Sequence, residues 1–245
     1  MSPNRLVRGL WLVAALGSAA VAPAFSSAAE NVSVPNPPPS LGTKPPAGAV
    51  VLFDGRNLDA WAKKAGKDWL KLDGPAPWKL VDVDGQRVME IVAGADSLIS
   101  KQTFGDGQLH LEFRTLVMPT NSGVYLQTRY EVNINESYGR TDVGPSGGLD
   151  NCSDVKPAVR AALPLHTWQT FDIDFMAPRF DAGGKKTANA RATVRLNGVV
   201  LYDRQELNPP KGAAGRLGEA PTGPLMLQEH GQPVQFRNIW FVPAR

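Results

Sequence analysis

The sequence predicts an all-β fold: an antiparallel sandwich of two sheets. Three observations carry that prediction. Apolar residues recur with period two along most of the chain, the pattern of half-buried strands. Asp84-Gly85 and Asn197-Gly198 each sit between two such runs, and both dipeptides tolerate the positive φ angles that a two-residue hairpin demands. The 245 residues include 24 glycines and 21 prolines, about 18% of the chain. Average proteins hold roughly 12%, so the surplus favours turns and short strands over helices. Many alternating strands without helices form sandwiches, in which each sheet buries one face. A hydrophobic content of 42% supplies a core for one β domain of this length.

The first element in chain order is a leader. Arg5 and Arg8 precede an apolar stretch over residues 10–22, and small residues follow to Ser27-Ala28-Ala29. That charged, apolar, small-residue order predicts a secretory signal peptide over 1–29, cleaved after Ala29 with Ala24 as the alternative site, and a periplasmic or secreted protein; the other reading is an uncut N-terminal membrane anchor. The apolar stretch is too short for a stable membrane span, and no span is expected after the leader is cleaved. Residues 30–48 hold Pro35, Pro37, Pro38, Pro39, Pro45 and Pro46 and predict an extended, semi-rigid linker. The β domain is expected over 49–245. Within it, 78–83 and 87–91 form one hairpin, and 192–196 and 199–202 another. Over 108–116, Leu109, Leu111 and Phe113 face one way, and His110, Glu112 and Arg114 the other. Residues 123–134 read as one long strand, with Val124, Leu126, Tyr130, Val132 and Ile134 on its apolar face. Further strands are expected over 168–176, 225–229 and 234–242. No helix longer than two turns is predicted. Residues 139–167 and 208–224 carry no strand signal; such long loops are functional rims or surface insertions.

Composition excludes several functions. The formal charge of +3 falls to +1 when Arg5 and Arg8 leave with the leader, and no basic cluster with interleaved aromatics marks a nucleic-acid partner. The single cysteine, Cys152, excludes an internal disulfide framework and a multi-cysteine zinc site. His110, His166 and His230 lack zinc spacing. There is no phosphate loop or dinucleotide fingerprint. The segment around Ser146 matches the serine-hydrolase expression but lacks the preceding strand and following helix, and Pro145 adjoins the serine.

The polar faces are more informative. On the long predicted strand, Tyr125, Gln127, Arg129, Glu131 and Asn133 occupy successive same-face positions, about 6.6 Å apart. Their fork-shaped donors and acceptors suit sugar hydroxyls. Glu112 and Arg114 extend the set, and Gln228, His230, Arg237 and Asn238 add to it near the C-terminus. A solvated face laced with ion pairs, or buried pairs that fix register, produces the same pattern. Asp172 and Asp174 share a strand face and read equally as structural or as ligands.

Four ordered segments then resemble the bacterial 3-keto-disaccharide hydrolase family. Residues 52–61, Leu-Phe-Asp-Gly-Arg-Asn-Leu-Asp-Ala-Trp, are similar to the family's opening "F-D/N-G-K-x-L-x-x-W". Leu111-Glu112-Phe113-Arg114 precedes Asn121-Ser122-Gly123-Val124-Tyr125. Tyr130-Glu131-Val132-Asn133-Ile134 precedes Trp168-Gln169-Thr170-Phe171-Asp172-Ile173. Leu227-Gln228-Glu229-His230-Gly231 leads into Val234-Gln235-Phe236-Arg237-Asn238-Ile239. The family usually carries Gln where this chain has Asn133. The resemblance implies a concanavalin A-like jelly roll and a carbohydrate substrate whose sugar bears a 3-keto group. A 3-keto group acidifies the C2 hydrogen, so a base can remove it and the C1 substituent can leave by β-elimination; water then adds to the enone. That chemistry needs one base near neutral pKa and a donor or cation at the enolate oxygen, without the paired carboxylates of ordinary glycosidases. His230 and Glu131 are the candidate bases. Arg129, Arg237 or a divalent cation are the candidate enolate stabilisers. Glu112, Arg114, Tyr125, Gln127, Asn133 and Gln228 complete the candidate substrate-binding set. Two alternatives stand beside it. One is a non-catalytic glycan-binding module stacking sugars on Tyr125, Trp61, Trp69 or Trp78. The other is an ordinary glycosidase that uses Glu112 with Glu131.

Overall fold

The computed structural model describes residues 30–244, so the predicted signal peptide lies outside the described residues. In chain order the strands are β1 (Glu30–Asn31), β2 (Val50–Phe53), β3 (Trp61–Ala65), β4 (Asp68–Pro75), β5 (Lys79–Val83) and β6 (Gln86–Glu90). They continue with β7 (Leu98–Phe104), β8 (Gly107–Thr115), β9 (Asn121–Leu126), β10 (Tyr130–Asn135), β11 (Val159–Arg160) and β12 (Gln169–Met176). The last are β13 (Arg179–Phe180), β14 (Lys186–Ala188), β15 (Arg191–Leu196) and β16 (Val199–Glu206); then come the one-turn helix α1 (Gly212–Gly215), β17 (Gly223–Leu227) and β18 (Val234–Pro243). Among the described residues no helix is long and apolar enough to cross a membrane.

Two antiparallel sheets form the predicted sandwich. The six-stranded sheet runs β10-β9-β17-β7-β3-β4; the eight-stranded sheet runs β16-β15-β12-β8-β18-β6-β5, with β2 also on β18. Period-two alternation decides which side chains lie between them. Leu109, Leu111 and Phe113 of β8 and Val124, Leu126, Tyr130, Val132 and Ile134 of β9 and β10 are all buried. Tyr130 meets Phe175 of β12 across the two layers, with ring centroids 5.7 Å apart, and Phe113 stacks on Phe171 at 4.9 Å. Each such ring contributes about 1.5–3 kcal/mol by leaving water.

Both predicted hairpins form, and φ is 49° and 75° at Asp84-Gly85 and 54° and 81° at Asn197-Gly198. The predicted long strand over 123–134 does not. It is a hairpin of β9 and β10, with Leu126 paired to Tyr130 and a turn whose Gln127 and Thr128 have φ of 54° and 59°. No glycine or asparagine marks this turn. Tertiary bonds hold it instead: Gln127 Nε2 donates to the Phe104 and Pro221 carbonyls (3.2 and 3.1 Å), and Arg129 donates to the Gly218 and Gln127 carbonyls. Strands β2, β3, β4 and β7 carry no clear alternation; β4, for example, is largely exposed on both faces.

The proline-rich segment expected as a linker is docked on the outer face of the eight-stranded sheet. Ser40 Oγ donates to Asp172 (2.5 Å), the Gly42 N–H donates to Glu112 (2.6 Å), and Asn238 Nδ2 donates to the Thr43 carbonyl (2.9 Å). Pro38 is buried and Pro39 packs beside Gly198. Buried polar groups on the sheet thus find partners in the segment's backbone, which an extended proline-rich chain leaves free.

Candidate functional site

The β9–β10 hairpin brings Tyr125 and Glu131 opposite each other on the outer face of the six-stranded sheet. Met226 of β17 pairs with Tyr125, completing a row across three strands. The next row along is Asn133 opposite Gly123, with the Gln228 N–H donating to the Gly123 carbonyl (2.9 Å). Gly123 leaves a hollow between these rows. A Cβ there would lie 2.7 Å from Glu131 Oε1, so the carboxylate reclines over the glycine.

An apolar wall surrounds this centre. Tyr125 clusters with Ile99 of β7, Met226 and Ala214 of α1, and Trp69 of β4 meets the Tyr125 ring edge-on at 5.7 Å. The wall desolvates the carboxyl. Burial pushes Glu131 up, the Tyr125 phenol hydrogen-bonded to it pulls it down, and the Asp150 charge pushes it up again, leaving it at about 7. Burial, then the neighbouring Glu131 charge, raises Tyr125 far above its ordinary value, so its phenol stays a donor. Gln228 Nε2 donates to the Tyr125 oxygen (3.1 Å), which fixes the phenol's place beside Glu131. Two buried acceptors on this face, Asn133 Oδ1 and Gln228 Oε1, have no hydrogen-bond partner. Native proteins seldom leave such atoms open, and each is a place for a donor to arrive.

Both long loops border the site. The Gly148 carbonyl accepts from the Asn133 N–H (2.9 Å), and Asn151 bridges the Glu131 N–H (3.0 Å) and the Arg129 carbonyl (2.7 Å). Residues 208–222 carry α1 over Tyr125, tied down where the Asn208 and Lys211 N–H groups donate to the Cys152 and Asn151 carbonyls. His230 follows Gln228 by two residues and is exposed in the β17–β18 connection.

The remaining predicted site residues lie elsewhere. Gln127 and Arg129 point into the hairpin turn and bond backbone carbonyls, so they do not share the face of Glu131. Glu112, Arg114 and Arg237 stand on the outer face of the eight-stranded sheet, on the far side of the sandwich. There Arg237 Nε donates to Glu112 (2.6 Å) and Arg114 Nε to Gln235 (2.6 Å), while both guanidinium groups lie over the Trp168 ring. Burial alone would raise Glu112; the His110 ring 3.8 Å away and hydrogen bonds from Asn238, the Gly42 N–H and Arg237 outweigh it and hold the carboxyl down at about 2. Sheets pack about 10 Å apart and these two carboxylates point away from each other. Glu112 and Glu131 therefore exceed the roughly 5–9.5 Å span of paired glycosidase carboxylates, and the two-carboxylate glycosidase reading fails.

Other expectations resolve similarly. Trp61 and Trp78 are buried in the core, which leaves Trp69 as the tryptophan at this site. Asp172 bonds His110 (2.7 Å) and Asp174 bonds Arg195 (2.8 Å), both as structural pairs. Ser146 and Cys152 are buried, and burial first, then the Glu131 charge, pushes the Cys152 thiol up to about 12. Among the described residues no group of three or more His, Cys, Asp or Glu is placed to hold a metal ion. Alternation alone does not mark Gly123, Met226, Ile99 and Ala214 as site residues; a glycine inside an alternating strand is the one signal the sequence offers.

Comparisons with known proteins bear on the family and the fold. A model of the 3-keto-alpha-glucoside-1,2-lyase-like domain matches residues 48–242. The structure is similar to a "putative glycosyl hydrolase" from Parabacteroides distasonis solved at 2.13 Å, with 30% identity, a TM-score of 0.69, and coverage of 81% of this chain and 85% of that one. A second protein of that organism, solved at 1.70 Å and described in the same words, shares the fold at 16% identity and a TM-score of 0.57, covering 81% of this chain and 94% of its own. Comparison with curated proteins gave no match.

Proposed function

The chain belongs to the 3-keto-alpha-glucoside-1,2-lyase-like family, and we propose that it cleaves the glycosidic bond of 3-keto-glycosides with Glu131 as the base. A glycosyl-hydrolase-like action on carbohydrate follows from the family and from the similar solved structure. The finer reading rests on one observation: a half-buried carboxyl at about 7, in reach of a protonated phenol and beside two open acceptors. A general base works best when its pKa lies near the working pH.

The steps balance without a cofactor. Glu131 takes the C2 proton and the C–H electron pair becomes the enolate of the 3-keto group. The Tyr125 phenol, oriented by Gln228, donates to that oxygen. The enolate re-forms its carbonyl as the C1–O bond breaks, leaving a C1=C2 enone and an alkoxide that takes a proton to depart as the alcohol. His230, exposed two residues beyond Gln228, is the residue assigned to supply that proton. Water then adds to C1 of the enone while the protonated Glu131 returns its proton to C2 and His230 takes the water's spare proton, giving the free 3-keto sugar and restoring both groups. Asn133 Oδ1 and Gln228 Oε1 accept from the sugar hydroxyls, and the reaction takes place in the periplasm or outside the cell.

The test uses a 3-keto-glucoside and its unoxidised parent. The wild type is expected to release the aglycone from the keto form alone, and Glu131→Gln to lose about 10²–10⁴-fold in turnover. Release from the parent glucoside at an equal rate, or a fully active Glu131→Gln, overturns the reading. Binding of both sugars without turnover would leave the protein a glycan-binding module.

A further inference from the structure

Five residues beyond Glu131, β10 runs out into a groove at the end of the sandwich. The groove encloses about 880 Å³, and its lining includes Met118, Pro119, Glu136, Tyr138, Arg140 and Leu165. Met118 and Tyr138 are 60% and 52% exposed, leaving apolar surface uncovered. Glu136, by contrast, is 8% exposed, and its Oε2 is buried without a hydrogen-bond partner. Arg140 Nη1 lies 3.8 Å from that oxygen, too far to donate, and Asp142 holds the same guanidinium in two bonds of 3.0 and 2.6 Å. Glu136 therefore keeps an open acceptor at the groove, at a cost of about 1–3 kcal/mol that an arriving hydroxyl would recover.

The chemistry of the lining selects the occupant. One open carboxylate oxygen and a neutralised guanidinium stand among otherwise apolar walls. A second sugar ring needs donors and acceptors around its whole rim; a flat apolar ring with one hydroxyl needs a single acceptor. Glu136 directly follows β10, five residues beyond Glu131, and five extended residues span about 16 Å. A single-ring aglycone leaving C1 is too short to cover that distance, and a multi-ring one is long enough.

We propose that this groove binds the far, phenolic ring of an extended aromatic aglycone, with its hydroxyl donating to Glu136 and its face against Tyr138 and Met118. The assignment of the ring to an aglycone rests on Glu131 being the base; the groove's affinity for the ring does not. Calorimetric titration of the whole protein with 2-naphthol tests the groove directly. Binding is expected to be equal in the wild type and Glu131→Gln, at least fivefold weaker in Tyr138→Ala, and weaker for the methyl ether of 2-naphthol. No binding of 2-naphthol, or binding indifferent to Tyr138→Ala, overturns the proposal. Glu136→Leu adds a second variant that removes the acceptor and keeps the bulk. With 3-keto-glucosides, a multi-ring aryl aglycone is expected to lower KM at least tenfold against a methyl aglycone, and Tyr138→Ala to abolish that difference at constant kcat. Equal KM values overturn the aglycone assignment. Naphthol binding with no turnover of either glycoside supports the groove and sinks the catalytic reading instead.

Discussion

Glu131 and Gly123 set each other's geometry. An alanine Cβ at position 123 would fall 2.7 Å from Glu131 Oε1 and 3.2 Å from Glu131 Cγ and Tyr125 Cε2. The first atom is the tip of a flexible side chain, so folding can absorb the clash by moving the carboxylate. Catalysis cannot, because a displacement of about 1 Å in a reacting group costs roughly 10²-fold. Gly123→Ala is therefore expected to keep its thermal midpoint within a few degrees of wild type while losing about 10²-fold in kcat; a variant that unfolds, or one that stays active, contradicts this account. Glu131 also links activity to stability. Its carboxyl is raised to about 7 in the fold from an ordinary 4.5, so the folded protein is favoured while the group is protonated and loses that advantage as pH rises from 4.5 through 7. Activity moves the opposite way on this limb, since the base must be ionised: kcat/KM is expected to rise with pH through about 7. Glu131→Gln should melt higher than wild type at pH 8 but not at pH 4.5. Equal melting points at pH 8 would mean that the carboxyl is not desolvated as described.

The β9–β10 hairpin builds the site, and its turn is held from outside. Gln127 anchors the Phe104 and Pro221 carbonyls while keeping a φ of 54°. Gln127→Ala strands both carbonyls and is expected to lower the urea midpoint by the equivalent of about 1–3 kcal/mol with an unchanged m-value. Its KM should stay at the wild-type value; a raised KM with full stability would return Gln127 to the substrate-binding set. This turn also marks where the sequence stops being readable. Alternation correctly sorted Val124, Leu126, Tyr130, Val132 and Ile134 from Tyr125, Glu131 and Asn133, because period two follows from backbone geometry alone. It could not show the reversal at Gln127-Thr128, since the tertiary bonds that force positive φ there come from residues 104 and 218–221. Asn197-Gly198 was legible because its turn chemistry is local. Likewise, alternation tells which residues share a strand face but not which sheet receives the strand. Glu112 and Arg237 were grouped with Glu131 for that reason, although β8 and β18 belong to the other layer.

At the scale of the whole molecule, the outer face of the eight-stranded sheet is closed by the chain's own proline-rich segment. Beneath it lie His110, only 1% exposed, and Glu112, likewise 1% exposed. The Gly42 N–H is one of four donors that hold the Glu112 carboxyl at about 2, and it leaves if the segment is removed. Glu112 is depressed in the fold, so its stabilisation is complete above its ordinary 4.5 and is lost as pH falls toward 2. A chain starting at Ala49 lacks Gly42 and keeps Glu112 less depressed, so it has less of this stabilisation to lose. The full chain is therefore expected to melt higher than the truncated one at pH 5, and the gap to narrow steadily down to pH 3. The window matters because His110 also contributes. Burial opposes its charge, but Asp172 and Glu112 outweigh burial and raise it above the ordinary 6.5. Below pH 5 it is protonated in both folded and unfolded chains, so its own titration does not change the gap there. A constant gap would show that the segment holds the sheet through Ser40 and Pro38 packing without Glu112, and an absent gap that the sheet needs no cover at all.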